Sequence, residues 1–112
     1  MMSHEKLDVY QLSIKFLALV RKIVNCIPRG NADLTDQLNR AARSIPLLIA
    51  EGAGKNTPKH QSKYYSDARG ESLESAACLD VMSVEGLIKS EYLNQGKQML
   101  KRMVSMLTKM CR

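Results

Sequence analysis

The chain has 112 residues and a mass of 12.6 kDa, with 45% apolar and 25% charged residues. That is one domain's worth of polymer, and its composition excludes a disordered or membrane-embedded chain. Lys and Arg number 17 against 11 acids, giving a net charge of +6 and a pI of about 9.4. Such a balance suits nucleic acid, an anionic membrane surface or an acidic protein, and alone selects none of them.

Trp is absent, Phe16 is the one Phe, and Met reaches 7. The core must be built from Leu, Ile, Val, Ala and Met, most of which favour helices. A small β-barrel or sandwich would want more aromatic and β-branched residues.

Turn signals cut the chain into four helical segments. The first runs from about Leu7 to Ile27 and stops at Pro28-Arg29-Gly30-Asn31. Val9, Leu12, Phe16, Leu19, Ile23 and Ile27 step by three and four, which is one face of a helix. Asp8 suits the cap or the first turn.

The second segment runs from about Ala32 to Ala53, with Asn31 as N-cap and Gly52 and Gly54 as the stop. Leu34, Leu38, Ala41, Ile45, Leu48 and Ile49 supply its apolar face. Pro46 falls inside that pattern and removes one backbone donor, which predicts a kink or loosening.

The third segment opens at Thr57-Pro58, an N-cap followed by Pro at the first helical position, and runs to about Gly86. Gly70 lies inside it, at a cost of roughly 1 kcal/mol relative to Ala. A glycine there admits a close backbone or leaves room for a partner side chain. Ala68, Ala76, Ala77 and Cys78 extend this small-residue surface.

The fourth segment starts at Ser90, read as an N-cap, and runs to the end. Leu93, Gly96, Leu100, Met103, Leu107 and Met110 repeat at three and four, and Met99, Val104 and Met106 widen the stripe. The resulting arc covers roughly 160°, more than an isolated bundle helix needs. Either a second buried contact between subunits or a Met-rich core filling irregular gaps accounts for it. Four helices, short loops and no strand signal predict an antiparallel, up-down-up-down four-helix bundle in a single domain, residues 1–112.

The charge is uneven along the chain. Residues 1–30 carry +3, residues 31–57 zero, residues 58–88 −2 and residues 89–112 +5. The first and last helices are neighbours in such a bundle. Lys15, Arg21, Lys22, Lys97, Lys101, Lys109 and Arg112 together predict a basic outer surface. Phosphate backbones are the usual partner of such a surface. The alternatives are a solvated face and a surface for an acidic protein.

Little in the chain points to catalysis. His4 and His60 have no Cys or acidic neighbour at metal-ligand spacing. Gly52-Ala53-Gly54-Lys55 lacks the P-loop spacing and follows a helix. No cofactor motif is present. Glu51, Glu71 and Glu74 match Arg40, Arg43 and Arg69 in level along antiparallel helices. Arg40, Glu51, Arg69 and Glu74 are therefore read as a structural polar network at helix or subunit contacts, not as an acid/base pair.

The three cysteines, Cys26, Cys78 and Cys111, are odd in number and widely spaced, which fits reduced thiols in a cytoplasm. No signal-peptide apolar region follows the first residues. The longest uncharged apolar run, Ser44–Ala50, is too short for a bilayer, so no membrane partner is expected.

Three stretches read together: Leu7-Asp8-Val9-Tyr10, the run from Gln37 to Gly52 (QLNRAARSIPLLIAEG), and Ala68-Arg69-Gly70-Glu71-Ser72-Leu73-Glu74. They resemble the four-helix-bundle proteins encoded in intervening sequences of bacterial 23S rRNA genes, a family that includes the accessory variability proteins of diversity-generating retroelements. The pattern also accounts for the mid-helix proline. Leu48 departs from it where Asn is usual, and Glu71 where Ser is frequent. The resemblance implies a non-enzymatic homopentamer with a basic surface for RNA or DNA, in the retroelement branch alongside a reverse transcriptase. The rival expectation is a protein–protein scaffold whose basic face meets an acidic partner.

Overall fold

The computed structural model describes residues 2–112, with Ser3 and Lys6 described by their backbone alone. Its helices are α1 (Asp8–Asn25), α2 (Ala32–Ala53), α3 (Pro58–Val84) and α4 (Ser90–Met110), and no strand occurs among the described residues. A single 3-10 turn over Ser3–Lys6 precedes them. Periodicity gave no sign of that turn, because four residues are too few to show one. His4 packs edge-on against Tyr10 there, with ring centroids 4.8 Å apart.

Local chemistry explains each boundary. α1 buries Val9, Leu12, Phe16, Leu19, Val20 and Ile23 and ends before Pro28 and Gly30. Gly30 has φ +98°, a left-handed conformation that favours glycine. Asn31 holds the N-cap position of α2, but its side-chain amide donates to the Pro28 carbonyl instead of capping. Pro46 is buried inside α2, and the helix runs unbroken through it.

Thr57 caps α3, its hydroxyl oxygen accepting from the His60 N–H at 3.2 Å, with Pro58 as the first helical residue. α3 ends in a Schellman turn. The Leu87 N–H donates to the Met82 carbonyl, the Gly86 N–H to that of Ser83, and Gly86 has φ +72°. α4 starts one residue earlier than the Ser90 cap predicts: Lys89 is the N-cap and Ser90 the first helical residue.

Each helix packs on two others. α2 lies on α3, α3 on α4, α4 on α1 and α1 on α2, with no diagonal packing among the described residues. The registers run antiparallel. Arg40 meets Glu74 while Gly52 meets Tyr65, and Lys97 meets Asp80 while Arg69 meets Thr108. Short loops impose this up-and-down order. The molecule is 44 Å long and about 25 by 22 Å across, close to the length of its longest helix.

One core fills the centre, from Phe16, Leu38, Ile45, Ile49, Leu79, Met82, Leu100, Met103 and Leu107, all essentially inaccessible. Two close approaches fix the helix spacing. A Cβ on Gly52 would stand 2.7 Å from the Tyr65 ring, and one on Gly96 would stand 2.8 Å from Leu79 Cδ1. Gly52 is thus a packing residue of the α2–α3 contact and not only the end of a helix.

The Met side of α4's wide apolar arc is used inside the chain, while Val104 lines an open cleft against Leu73 and Ala76 of α3. Met99, Met106 and Met110 are partly buried against the core, beside the fully buried Met103. The exposed large apolar residues lie elsewhere: Leu73, Val81 and Val84 on α3, Leu47 on α2, Ile14 on α1, and Met2. No helix among the described residues is long and apolar enough to cross a membrane.

Candidate nucleic-acid interface

The outward cations collect on α4 and on the flank of α1 beside it. Counted at 100° per residue, Lys101, Arg102 and Lys109 fall within about 100°, centred opposite the buried stripe of Gly96, Leu100, Met103 and Leu107, and Arg112 follows the C-cap Cys111. All four are exposed. Lys15 and Lys22, seven residues apart on α1, are exposed on the flank of Leu19. That flank faces α4, because Leu19 Cδ2 lies 3.6 Å from the place of a Cβ on Gly96. Among the described residues none of these six cations forms an ion pair. The acids Asp8 and Glu91 sit in the first turns of α1 and α4, where the helix dipole favours them.

Two predicted members of this surface sit differently. Lys97 turns toward α3 and pairs with Asp80 Oδ1 at 2.5 Å, so its charge is locally neutralised. Arg21 lies on the other flank of α1 and donates to the Asn39 side-chain oxygen on α2. Both follow from helical angle: Lys97 is only about 100° from Gly96, on the α3 side. Arg102 was missed as a member. Its adjacency to Lys101 and its place on the polar arc were the signal available.

The four polar motif residues divide into separate contacts. Arg40 on α2 reaches Glu74 Oε2 at 2.5 Å and Glu71 Oε2 at 3.7 Å, across to α3. The Arg40 side chain is 57% exposed, so this is a solvent-facing bridge and not a buried pair. Arg69 does not join it. It turns to α4 and donates from Nε to the Thr108 hydroxyl at 2.8 Å. The two residues from Arg69 to Glu71 turn the helix by about 200°, and the five to Glu74 by about 140° net, which puts Arg69 on the opposite flank from both. Glu51 is exposed and makes no ion pair among the described residues.

Glu51, Asp67, Glu71 and Glu74 instead rim a cleft of about 640 Å³ between α2 and α3, floored by Leu47, Leu48 and Gly70. Burial, with the neighbouring Glu74 charge, pushes the Glu71 carboxyl above its ordinary range, against the opposing pull of Arg40. Glu71 Oε2 and Ser75 Oγ are buried without a hydrogen-bond partner. Among the described residues no three His, Cys, Asp or Glu side chains converge as a metal site requires. Burial raises the thiol pKa of both Cys78 and Cys111, which disfavours the nucleophilic thiolate.

The chain thus presents a cationic side on α1 and α4 and an acid-rimmed, partly apolar side on α2 and α3. Comparison with known families adds one match: the family model described as 23S rRNA-intervening sequence protein aligns with residues 5–109, spanning all four helices. No curated protein matches the chain. With the matched region covering nearly the whole sequence and the four-helix fold in place, the chain belongs to the 23S rRNA-intervening sequence protein family.

Proposed function

We propose that this protein is a non-enzymatic, homo-oligomeric nucleic-acid-binding protein, assembling as a pentamer and holding RNA or DNA against the α1–α4 side. The observation that carries the reading is the set of six unpaired, exposed cations at Lys15, Lys22, Lys101, Arg102, Lys109 and Arg112. Flexible, exposed Lys and Arg without base-stacking aromatics among them recognise phosphates and not base edges. Binding is therefore steeply salt-dependent and only weakly sequence-dependent. The family description, which places such proteins in 23S rRNA intervening sequences, supports RNA as the first ligand to test.

Assembly strengthens this reading physically. A single face with six cations binds weakly at physiological salt, while several faces on one ring engage a strand together and raise its effective affinity. The resemblance to accessory variability proteins adds a reverse transcriptase as a protein partner in a cytoplasmic complex.

The test is a fluorescence-anisotropy titration of the purified protein with labelled RNA and duplex DNA from low to high salt. Polyglutamate serves as an acidic polypeptide control. The reading expects RNA and DNA to bind tightly at low salt, with log affinity falling linearly against log salt. Tight binding of polyglutamate with none of either nucleic acid would replace it with the scaffold reading. Light scattering on the same sample measures the subunit number.

A further inference from the structure

Beside the cations of α4 lies an apolar cleft of about 410 Å³, between α4 and α3. Leu73 and Ala76 of α3 and Leu100 and Val104 of α4 make its floor. Lys97, Gln98 and Lys101 stand along its α4 rim. Of the large apolar residues that α3 turns outward, Leu73, Val81 and Val84, Leu73 is the one that reaches this cleft. Leu73 is 46% exposed and Leu100 1%, so the cleft opens to solvent and closes on the core.

The antiparallel register sets these residues level. Lys97 meets Asp80 and Arg69 meets Thr108, which brings Leu73 opposite Val104 and Ala76 opposite Lys101. The small side chain of Ala76 leaves depth that a larger one would fill.

Lys101 belongs to two surfaces at once. It is an unpaired cation of α4's outer side, and it borders the apolar floor. Lys97, one turn earlier, has its charge paired with Asp80 at 2.5 Å. A ligand that fits therefore carries an apolar face for the floor and an anion beside it for Lys101. A nucleotide carries both. Phosphates alone account for the cations and leave the apolar floor without a role. Apolar side chains hold the faces of bases taken out of a stack. Lys101, Arg102 and Lys109 extend the unpaired charge over about 12 Å of α4, which suits a polyanion with repeating charges.

We propose that the α3–α4 cleft takes one unstacked base of a single-stranded RNA whose phosphates lie on Lys101 and Arg102. The strand then follows the outer side of α4, and one base turns in between Leu73 and Val104. Its face covers the apolar floor. Gln98, whose amide both donates and accepts, meets its edge. Contact through the face suits any base, so sequence preference stays weak. A duplex keeps its bases stacked and paired, so the cleft favours single strands. This inference rests on the nucleic-acid reading above and adds the form of nucleic acid that the site takes.

The experiment is fluorescence anisotropy with labelled oligouridylate, whose bases are largely unstacked. It is compared with an abasic ribose-phosphate strand of the same length and charge. Wild type is set against Leu73→Gln and Ala76→Gln, both uncharged changes to a good helix former. The first removes apolar floor and the second fills the cleft. Circular dichroism checks that the helices are intact, and light scattering gives the subunit number. The wild type is expected to bind oligouridylate about five-fold tighter than the abasic strand, the low end of what one stacked base contributes. Each variant should lose that preference while keeping the abasic affinity and its salt slope. Either variant decides the matter if the other fails to fold.

Equal binding of both strands by the wild type would overturn the inference and leave phosphate binding standing. A preference that survives in the variants would overturn it too, because the base then sits elsewhere. A variant with an altered subunit number would assign the cleft to a neighbouring copy. A labelled acidic, leucine-bearing peptide that binds the wild type and neither variant, with no preference between the strands, would assign it to a protein partner. If neither strand binds at low salt, the nucleic-acid reading itself fails, and the inference with it.

Discussion

α3 and α4 lie side by side, are both long, and each carries a glycine in mid-helix, yet they put their apolar residues to opposite use. In α4 the apolar arc faces inward and the outward arc is cationic. In α3 the apolar residues face both ways. The glycines mark the difference. Gly96 is buried, and a Cβ on it would stand 2.8 Å from Leu79 Cδ1, while Gly70 is exposed with open space where a Cβ would be. One glycine is required by the chain's own core and the other is not. α4 packs most of its apolar arc within the chain, while α3 leaves Leu73, Val81 and Val84 exposed.

Truncation of a core side chain gives the largest test of that contrast. Leu100, on the inner side of α4, is 1% exposed, and Leu100→Ala should cost about 2–5 kcal/mol in chemical denaturation. Leu73→Ala on α3, measured at concentrations where the chain is monomeric, should change stability by less than about 0.5 kcal/mol. Comparable destabilisation by both would mean that α3's outer side is packed within the chain after all.

The glycines sharpen the same comparison with opposite signs. Gly96→Val should destabilise by about 1–3 kcal/mol, because the added methyls meet a packed Leu79. Gly70→Ala should stabilise by up to about 1 kcal/mol through helix propensity alone, since its added methyl meets nothing. Thermal melts of the two variants should move in opposite directions.

Much of this architecture was legible in the chain. The three-and-four spacing in α1, α2 and α4 fixed their inner faces, and Thr57-Pro58 and Gly86 marked the ends of α3 to within two residues. Pro46 does not end α2: it withholds one backbone donor, yet the flanking apolar positions continue in phase across it. The polar contacts were less legible. Arg69 and Arg40 lie at comparable levels on paper, yet helical angle sends one to Thr108 and the other to Glu74. Lys97 resembles its neighbour Lys101 in sequence, and only the fold sets Asp80 opposite it. Spacing along one helix shows which residues share a face, and not which partner a neighbouring helix supplies. The outward stripe of α3 was hidden for the same reason. In a helix apolar on two sides, no single periodic stripe stands out.

A smaller effect concerns pH at the acidic margin of α3. The Glu71 carboxyl is raised by burial and by Glu74, so the folded chain binds its proton more tightly than the unfolded chain. Stability from this group is present below the ordinary carboxylate pKa and is lost as pH rises through the raised value. Glu71→Gln should therefore be more stable than wild type at neutral pH, with the difference shrinking in acid. Melting temperatures of both proteins across that range check it, and a difference that grows in acid would contradict the assigned environment.

The central claim is that phosphates meet the unpaired cations of α4 and not the paired ones. It is tested most directly by the slope of log affinity against log salt for RNA. The account predicts that Lys101→Ala/Lys109→Ala flattens the slope by about 0.7 for each phosphate left unneutralised on single-stranded RNA, and weakens all sequences alike. It also predicts that Lys97→Ala, whose charge already sits on Asp80, leaves the slope nearly unchanged. A double variant with the wild-type slope, or a Lys97→Ala slope that falls as far as the double variant's, would contradict it.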